Sequence, residues 1–561
     1  MKLGQIRKLK PLARFGNLLR LDKKDIYQVI WYAFISGIVS LSLPLGIQAI
    51  INLIQGGKVN VSWIILVVVV VLGSILMGVL RLMQMRITEN IQQKILARAA
   101  FEFAFRFPKM KWEAIDSYYP PELSNRFFDS LTVQKGMAKL ILDYSAALLT
   151  IIFSLILLSV YHPFFILFGV ILFVMLYFIF KFSFDYGLET SIKESKFKYK
   201  IASWLQEIAR NQNTFKNLNV HQYSMNRNDQ LVMGYINARE KHFSVLVRQF
   251  YQLIGFKAIT TAGLLLIGGL LVINQQMNIG QFVAAEIIII GVISSVEKLI
   301  LGLESFYDLL TGLEKLGEVT DVELEKPSDK DTDSVPEDFI GLELDKICFH
   351  YPNDLNPVLK NISLKIEPKE RVLIYGENGS GKSTLLKIMG GWMEPTTGLF
   401  YINQHFISKI KPMDYRNKIG IITASQFTFE GSILENITLN DKKVTDEHLK
   451  WVIENVQLSS YLKDEPKGLE TMLKSEGKGL PSSVIQKIVL ARTIIHKPKL
   501  LILEEPLDKV DVKQANEIVD FLTHPSHEWT LIVASKNPHW RNKCGREIEL
   551  NNGIIISDTK N

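Results

Sequence analysis

The residues with the clearest chemical purpose lie past the middle of the chain. Gly376-Glu377-Asn378-Gly379-Ser380-Gly381-Lys382-Ser383 follows the β-rich run Val372-Leu373-Ile374 and leads into a helix predicted over Thr384–Met389. Glycines at this spacing let successive backbone N–H groups curl around an anion, and the helix N-terminus behind them adds positive potential. Lys382 is placed to neutralise β- and γ-phosphates, and Ser383 to offer its hydroxyl to Mg2+. The strand–loop–helix context is the one this phosphate-binding loop requires, so the expected ligand is ATP with Mg2+. Further on, the apolar run Leu500-Leu501-Ile502-Leu503 ends in two carboxylates, Glu504 and Glu505. Such a pair at a strand end suits one carboxylate to a magnesium-bound water and the other to polarising an attacking water. An acidic strand end alone would be ordinary; downstream of a phosphate-binding loop it points to hydrolysis.

The elements around these residues divide the chain in two. Its 561 residues exceed what one compact core accommodates. Apolar runs crowd the first part, and the remainder reads as a soluble α/β protein. A bilayer core about 30 Å thick needs about 20 apolar residues in a helix. Six segments qualify: Tyr27–Ile54, Ser62–Leu82, Leu140–Tyr161, Phe164–Phe182, Phe250–Ile273 and Gly280–Leu301. Runs such as Ile64–Val71 lack the amphipathic period of a soluble helix. The links after the first, third and fifth spans are short and nearly free of Lys and Arg. Those after the second and fourth are long and basic (Arg86, Lys94, Arg98; Lys193, Lys196, Lys198), which places both termini in the cytoplasm. Helical spacing continues past the membrane over Arg86–Phe107 and Lys193–Asn217, with turns expected at Trp112–Glu122 and His221–Asp229.

The expected fold is therefore an all-α membrane domain of six helices followed by an α/β nucleotide-binding domain. The expected boundaries are 1–320, a linker at 321–340, and 341–561. The charged stretch Lys326–Asp338 is the core of that linker. After it, strands at Arg371–Tyr375, Lys499–Leu503 and Leu531–Ala534 alternate with helical segments, the pattern of a parallel sheet. Cys348 and Cys544 fit neither a disulfide framework nor a zinc site. No short apolar stretch with a cleavage site follows the basic N-terminus, so the first apolar segment is read as a retained span. Lys257, Glu286, Glu297 and Lys298 lie at or near the ends of the last two spans. They face a cavity or partner, or else snorkel.

These motifs resemble the ATP-binding-cassette exporter family over nearly the whole chain. Six spans with two long cytoplasmic connections, then a nucleotide domain, are similar to its half-transporters. Phe349-His350-Tyr351-Pro352 resembles the adenine-stacking element, with Tyr351 laid on the base. Phe429-Glu430-Gly431-Ser432-Ile433-Leu434-Glu435-Asn436-Ile437 resembles the segment after the glutamine loop, and Asp508-Lys509-Val510-Asp511 the D-loop. Glu122-Leu123-Ser124-Asn125-Arg126-Phe127-Phe128-Asp129 and Gly280-Gln281-Phe282 are similar to type I secretion and peptide exporters. Residues and resemblance together assign nucleotide binding to Tyr351, Gly376, Glu377, Asn378, Gly379, Ser380, Gly381, Lys382, Ser383 and Thr384. They assign Mg2+ to Ser383 and Glu504, and catalysis to Glu505 with Lys382.

The sequence also departs from the family. The loop glutamine position holds Ala424, with Gln426 two residues late. The signature, Leu-Ser-Gly-Gly-Gln in the family, reads Leu480-Pro481-Ser482-Ser483-Val484. The magnesium aspartate is Glu504, and the switch histidine is Ser535. Losing one preorganised donor typically costs about 10²–10³ in rate, so ATP binding is expected to persist while hydrolysis slows. The leading reading is an ATP-driven exporter subunit of unidentified cargo, in the bacterial inner membrane with its nucleotide domain in the cytoplasm. It would act as a homodimer, or a heterodimer with another half-transporter, with a possible periplasmic adaptor. The alternative is an ATP-binding, weakly hydrolysing regulatory or scaffolding subunit; turnover separates the two. Met1–Lys24 leaves no room for a peptidase-like domain ahead of the first span, so leader-peptide cleavage by this chain is not expected. Nucleic-acid binding is not expected, since topology accounts for the basic residues.

Overall fold

The computed structural model describes residues 10–56, 61–115, 118–216, 220–325, 339–352, 354, 356–424 and 426–560. The chain separates into two compact units: residues 1–108 with 118–322, and residues 109–117 with 323–561.

Every regular element among the described residues of the first unit is a helix. Among the described residues, six helices are long and apolar enough to cross a membrane: Lys23–Gln55, Val61–Lys109, Pro120–Tyr161, Phe164–Arg210, Gln222–Ile273 and Ile279–Thr320. The first is broken at Leu41, where Pro44 enters the following turn and cannot donate to the ladder. The second runs unbroken from Val61 to Arg106. At 1.5 Å per residue it is about 70 Å long, more than twice the bilayer core. The fourth, Phe164–Arg210, is equally long. Only 6% of the most apolar window of the second helix is buried, against 44% in the sixth. The sixth helix is therefore the one around which the others pack, and the second presents apolar residues outward, as a lipid-facing helix does. Buried polar groups join the helices beyond the apolar windows. The Arg126 guanidinium lies 3.7 Å over the Tyr199 ring and donates to Glu318 at 2.8 Å. The Tyr199 hydroxyl donates to Asp129, and Lys315 donates to Glu318 at 2.6 Å. Within the last two spans, the half-exposed Lys257 pairs with Glu297 at 2.8 Å.

Two local expectations need correction. The second cytoplasmic turn does not fall at His221–Asp229, which is helical within Val220–Gly263. The fourth helix ends earlier, at Arg210, rather than running on to Asn217. Asn211 is the reason: it leaves the helical region at φ −101° and ψ 34°, and its side-chain amide donates to the Glu207 carbonyl at 3.1 Å. An asparagine that offers the backbone such an alternative partner favours a helix end. The linker expected at Lys326–Asp338 lies outside the described residues.

The second unit is α/β. Its strands in chain order are β1 (Leu342–Phe349), β2 (Leu359–Ile366), β3 (Arg371–Tyr375), β4 (Thr397–Ile402), β5 (His405–Phe406), β6 (Ile419–Ile422), β7 (Gly431–Ser432), β8 (Met472–Leu473), β9 (Leu500–Glu504), β10 (Thr530–Ala534), β11 (Arg546–Asn551) and β12 (Ile554–Lys560). A sheet of order β12-β11-β3-β10-β9-β6 lies beside a smaller antiparallel one of order β2-β1-β4-β5. Strands β6, β9, β10, β3 and β11 run parallel, with β12 returning antiparallel. Strand β10 is buried at all five positions, and β9 at its first four. Runs apolar on both faces are what a parallel sheet covered by helices needs.

Residues 109–115 pack within this second unit. Lys111 N–H donates to the Glu323 carbonyl at 3.0 Å, and Met110 bridges Leu324. Trp112 stacks on Trp392 at 6.0 Å, beneath the Lys387 ammonium. Arg416 makes a bidentate pair with Glu325 at 2.8 and 2.9 Å.

A second charged anchor holds the far edge of the large sheet. Arg546, 6% exposed, donates to Asp558 at 2.7 Å through two nitrogens, to the Lys365 carbonyl at 2.7 Å and to Glu370 at 3.2 Å. Removing a buried charge from such a set leaves its partners uncompensated, so Arg546→Ala is expected to destabilise this unit by about 3–5 kcal/mol. The Arg546 hydrogen bond holds the Asp558 carboxyl below its ordinary value. Its contribution is therefore complete above the ordinary aspartate value of about 4 and fades as pH falls below it. Thermal unfolding of wild type and Arg546→Ala from pH 7 down to pH 3 checks both statements: the gap between them narrows in acid.

Candidate nucleotide and magnesium site

The site is assembled where parallel strands end. Ile374 of β3 and Glu504 of β9 both stand opposite Ala534 of β10, and Ile422 of β6 stands opposite Leu503. This register places at one sheet edge the phosphate-binding loop after β3, the carboxylates of β9, the loop after β6 and Ser535 after β10. Ligands of open α/β sheets bind at this edge.

The loop after β3 turns through positive φ at Gly376 (148°), Gly379 (82°) and Gly381 (102°). At Gly376 the demand is also steric, since a Cβ would lie 2.0 Å from the Leu550 carbonyl oxygen. The helix that follows is Lys382–Met389, beginning two residues earlier than the sequence suggested. The Lys382 ammonium donates to the Gly376 and Glu377 carbonyls at 2.7 Å each, so it lies over the mouth of its own loop. Burial, and next the Lys536 ammonium, push the Lys382 pKa below the ordinary lysine value, while Glu505 and Glu504 oppose them. A cation so placed gains most from an incoming polyphosphate. The Tyr351 hydroxyl lies 3.2 Å from the Thr384 hydroxyl, and the Tyr351 ring meets Phe349 edge-on at 5.2 Å. An aromatic ring thus stands beside the phosphate loop.

The two carboxylates of β9 serve different neighbours. Ser383 donates its hydroxyl to one oxygen of Glu504, and the Ala424 N–H donates to the other at 3.3 Å. A serine hydroxyl and a carboxylate meeting here form the all-oxygen donor set a hard cation such as Mg2+ favours, so the residues fit the ion. Glu505 sits at φ 43°, a left-handed conformation costly for a residue with a Cβ. It is held there by its N–H on the Ala534 carbonyl at 2.8 Å. Its Oε2 accepts from the Ser535 hydroxyl at 3.1 Å and from the Lys536 N–H at 3.3 Å.

The structure brings together Gly376–Thr384, Tyr351, Glu504, Glu505, Ala424 and Ser535. Gln426 does not occupy the place of the missing glutamine: its side chain folds back to donate to the Ile421 carbonyl at 3.2 Å. The altered signature starts a helix, Ser482–Ile494, with Pro481 ahead of it and Ser482 exposed. Two residues that hold the surroundings escaped the sequence reading as functional positions. Gln486 donates to Asp508 and to the Glu505 carbonyl at 3.3 Å, and accepts from Lys509 N–H at 2.8 Å, fixing the Asp508–Asp511 turn. Asn436, fully buried, exchanges two bonds with Phe429 at 2.9 and 3.0 Å and accepts from Arg492 at 2.7 Å. The sequence signal for Asn436 was its place inside the family-like segment Phe429–Ile437, and Gln486 stands two residues past the altered signature.

An aromatic platform for a base contributes about 1–3 kcal/mol by alanine substitution. Tyr351→Ala is accordingly expected to weaken equilibrium ATP binding about tenfold or more, and Tyr351→Phe to leave it nearly unchanged. Titration with a fluorescent ATP analogue reads both; equal affinities for wild type and Tyr351→Ala would rule the platform out.

Comparison with known proteins bears on both units. The ABC transporter transmembrane region family matches residues 28–296, and the ABC transporter family of ATP-binding domains matches residues 359–508. The alpha-hemolysin translocation ATP-binding protein of Escherichia coli O157:H7 is 28% identical over 351 residues, 62% of this chain and 49% of that protein. The cyclolysin secretion/processing ATP-binding protein of Bordetella pertussis strain Tohama I is 27% identical over 316 residues, 56% of this chain and 44% of that protein. The chain thus spans about half the length of the curated relatives it matches. Among solved structures, a bacterial Atm1-family ABC exporter with ATP bound superimposes with a TM-score of 0.85, covering 96% of each chain at 15% identity, a likeness of fold. The two family matches together take in well over half of the sequence, one on each unit, and the chain belongs to the ABC transporter family, joining a six-helix transmembrane region to an ATP-binding domain.

Proposed function

We propose that this protein is an ATP-driven exporter subunit that binds Mg·ATP at Tyr351, Gly376–Thr384 and Glu504, and hydrolyses it slowly with Glu505 as general base. The observation that carries the reading is the convergence of a phosphate loop, Ser383–Glu504 and Glu505 at one sheet edge in a chain with six membrane-length helices. The names of the two secretion relatives support transport out of the cytoplasm and favour a polypeptide cargo.

Each chain supplies one phosphate loop and one signature helix, so two copies, or this chain and another half-transporter, would close face to face on two nucleotides. Closure changes the facing of the membrane cavity. The charge asymmetry of the loops supports a cytoplasmic nucleotide domain, and the bacterial sources of the secretion relatives support the bacterial inner membrane. A periplasmic adaptor is the partner that the secretion relatives suggest.

The chemistry of this chain sets the expected rate. Lys382 neutralises the phosphates, and the backbone N–H groups of Gly376–Ser383 orient them. Mg2+ would be held by Ser383 and Glu504, where it supplies charge neutralisation at the phosphate oxygens. Glu505 must leave Ser535 and Lys536 to polarise water. Ser535 has no ring nitrogen to reach a γ-phosphate, and Ser482 and Ser483 carry side chains where the family has glycines.

In lipid nanodiscs, Mg·ATP turnover is expected below about 1 s⁻¹, the low end for enzymes. It should disappear in Glu505→Gln and in Lys382→Ala, while nucleotide binding survives only in the first. Ser535→His is expected to raise the rate about tenfold, less than the 10²–10³ of one preorganised donor because the changes at Ala424 and in the signature remain and such effects are not additive. Turnover indifferent to Glu505→Gln would overturn the self-sufficient pump and assign catalysis to a partner chain.

A further inference from the structure

Two departures from the family, the short residue at 424 and the long carboxylate at 504, lie against each other. Strand β6 ends at Ile422, which pairs with Leu503 of β9, so the loop that follows β6 runs past Glu504. There the Glu504 carboxylate divides its oxygens: one accepts from Ser383, the other from the Ala424 N–H at 3.3 Å. A carboxylate one methylene shorter would fall back by about 1.5 Å, the length of one C–C bond. It could not reach both Ser383 and the Ala424 amide. A long side chain at 424 has room to extend, because Ala424, Glu504, Glu505 and Ser482 line one cleft of about 270 Å3. Gln426 does not enter this role, since its amide is spent on the Ile421 carbonyl.

We infer that Glu504 and Ala424 form a compensating pair: the extra reach of Glu504 takes over the positioning task of the loop side chain that Ala424 lacks. The Ala424 N–H orients Glu504 from the side opposite Ser383, as partners behind a metal ligand commonly do. The loop after β6 thereby stays coupled to the magnesium site through its backbone instead of a side chain. The inference deepens the Mg·ATP reading above and rests on it.

The test is a double-mutant cycle on the full chain in nanodiscs, read by binding and not by turnover. Mn2+ binding with ATP present is followed by electron paramagnetic resonance, and ATP-analogue binding is measured with EDTA in parallel. Glu504→Asp is expected to weaken Mn2+ binding about 10- to 100-fold, as loss of a ligand's orienting partner does. In the Ala424→Gln background the same change is expected to cost less than about threefold, the two substitutions being coupled. Metal-free ATP binding should be unchanged in all four proteins, which also shows that they are folded. Equal losses from Glu504→Asp in both backgrounds, or no loss in either, overturn the pairing. Wild type that binds ATP analogue but no Mn2+ overturns the magnesium assignment to Ser383 and Glu504. Wild type that binds no nucleotide overturns the Mg·ATP reading itself.

Discussion

The register of β9 between β6 and β10 is the constraint on which the nucleotide half depends. A strand buried on both faces leaves no place for a charged side chain along its length, as Leu500–Leu503 and Leu531–Ala534 show. Chemistry can begin only where the strands stop. Because the strands are parallel and in register, they stop together, and the loops that leave them share one edge. Glu504 and Glu505 then differ only by position: the last residue of the strand faces Ser383, and the first beyond it turns to Ser535. The left-handed backbone at Glu505 is the local cost of that divergence, and the Ala534 carbonyl helps to hold it.

The membrane half obeys a different constraint. Lipid offers no hydrogen bonds, so each span must satisfy its backbone internally, and helices result whatever the detailed sequence. Specificity comes where the helices leave the apolar layer. Arg126, Asp129, Tyr199, Lys315 and Glu318 bind one another across three helices and are largely shielded from solvent. Each would be costly alone; together they allow few other registers. The chain leaves this unit at Pro108 and returns at Tyr118; between them Met110, Lys111 and Trp112 are held by a bridge to Leu324, by Glu323 and by Trp392.

Much of this could be read from residue order. All six spans, the phosphate loop with its flanking elements and the strand before Glu504 follow from local apolar runs and glycine spacing, and the structure places them accordingly. The turn of the second long connection lies ahead of His221–Asp229 because Asn211 ends its helix through local hydrogen bonds to Glu207, a weaker signal in the sequence than the polar run. Trp112 gave no sign of its stacking partner, nearly three hundred positions away at Trp392. Gln426 looked like a displaced loop glutamine until its amide was seen on Ile421.

The sequence by itself determined which elements form and which chemical groups are available: six apolar helices, a parallel sheet, a glycine loop with Lys382 and Ser383, and two adjacent carboxylates. These are short-range properties, set by hydrophobic length, backbone freedom at glycine and side-chain type. Only the tertiary structure decided which departures touch. Ala424 and Glu504, or Ser535 and Glu505, are tens of residues apart in the chain, and their hydrogen bonds exist because parallel pairing brings separate strand ends to one edge. Strand order and register depend on how the whole core packs, and no local window of sequence contains that information.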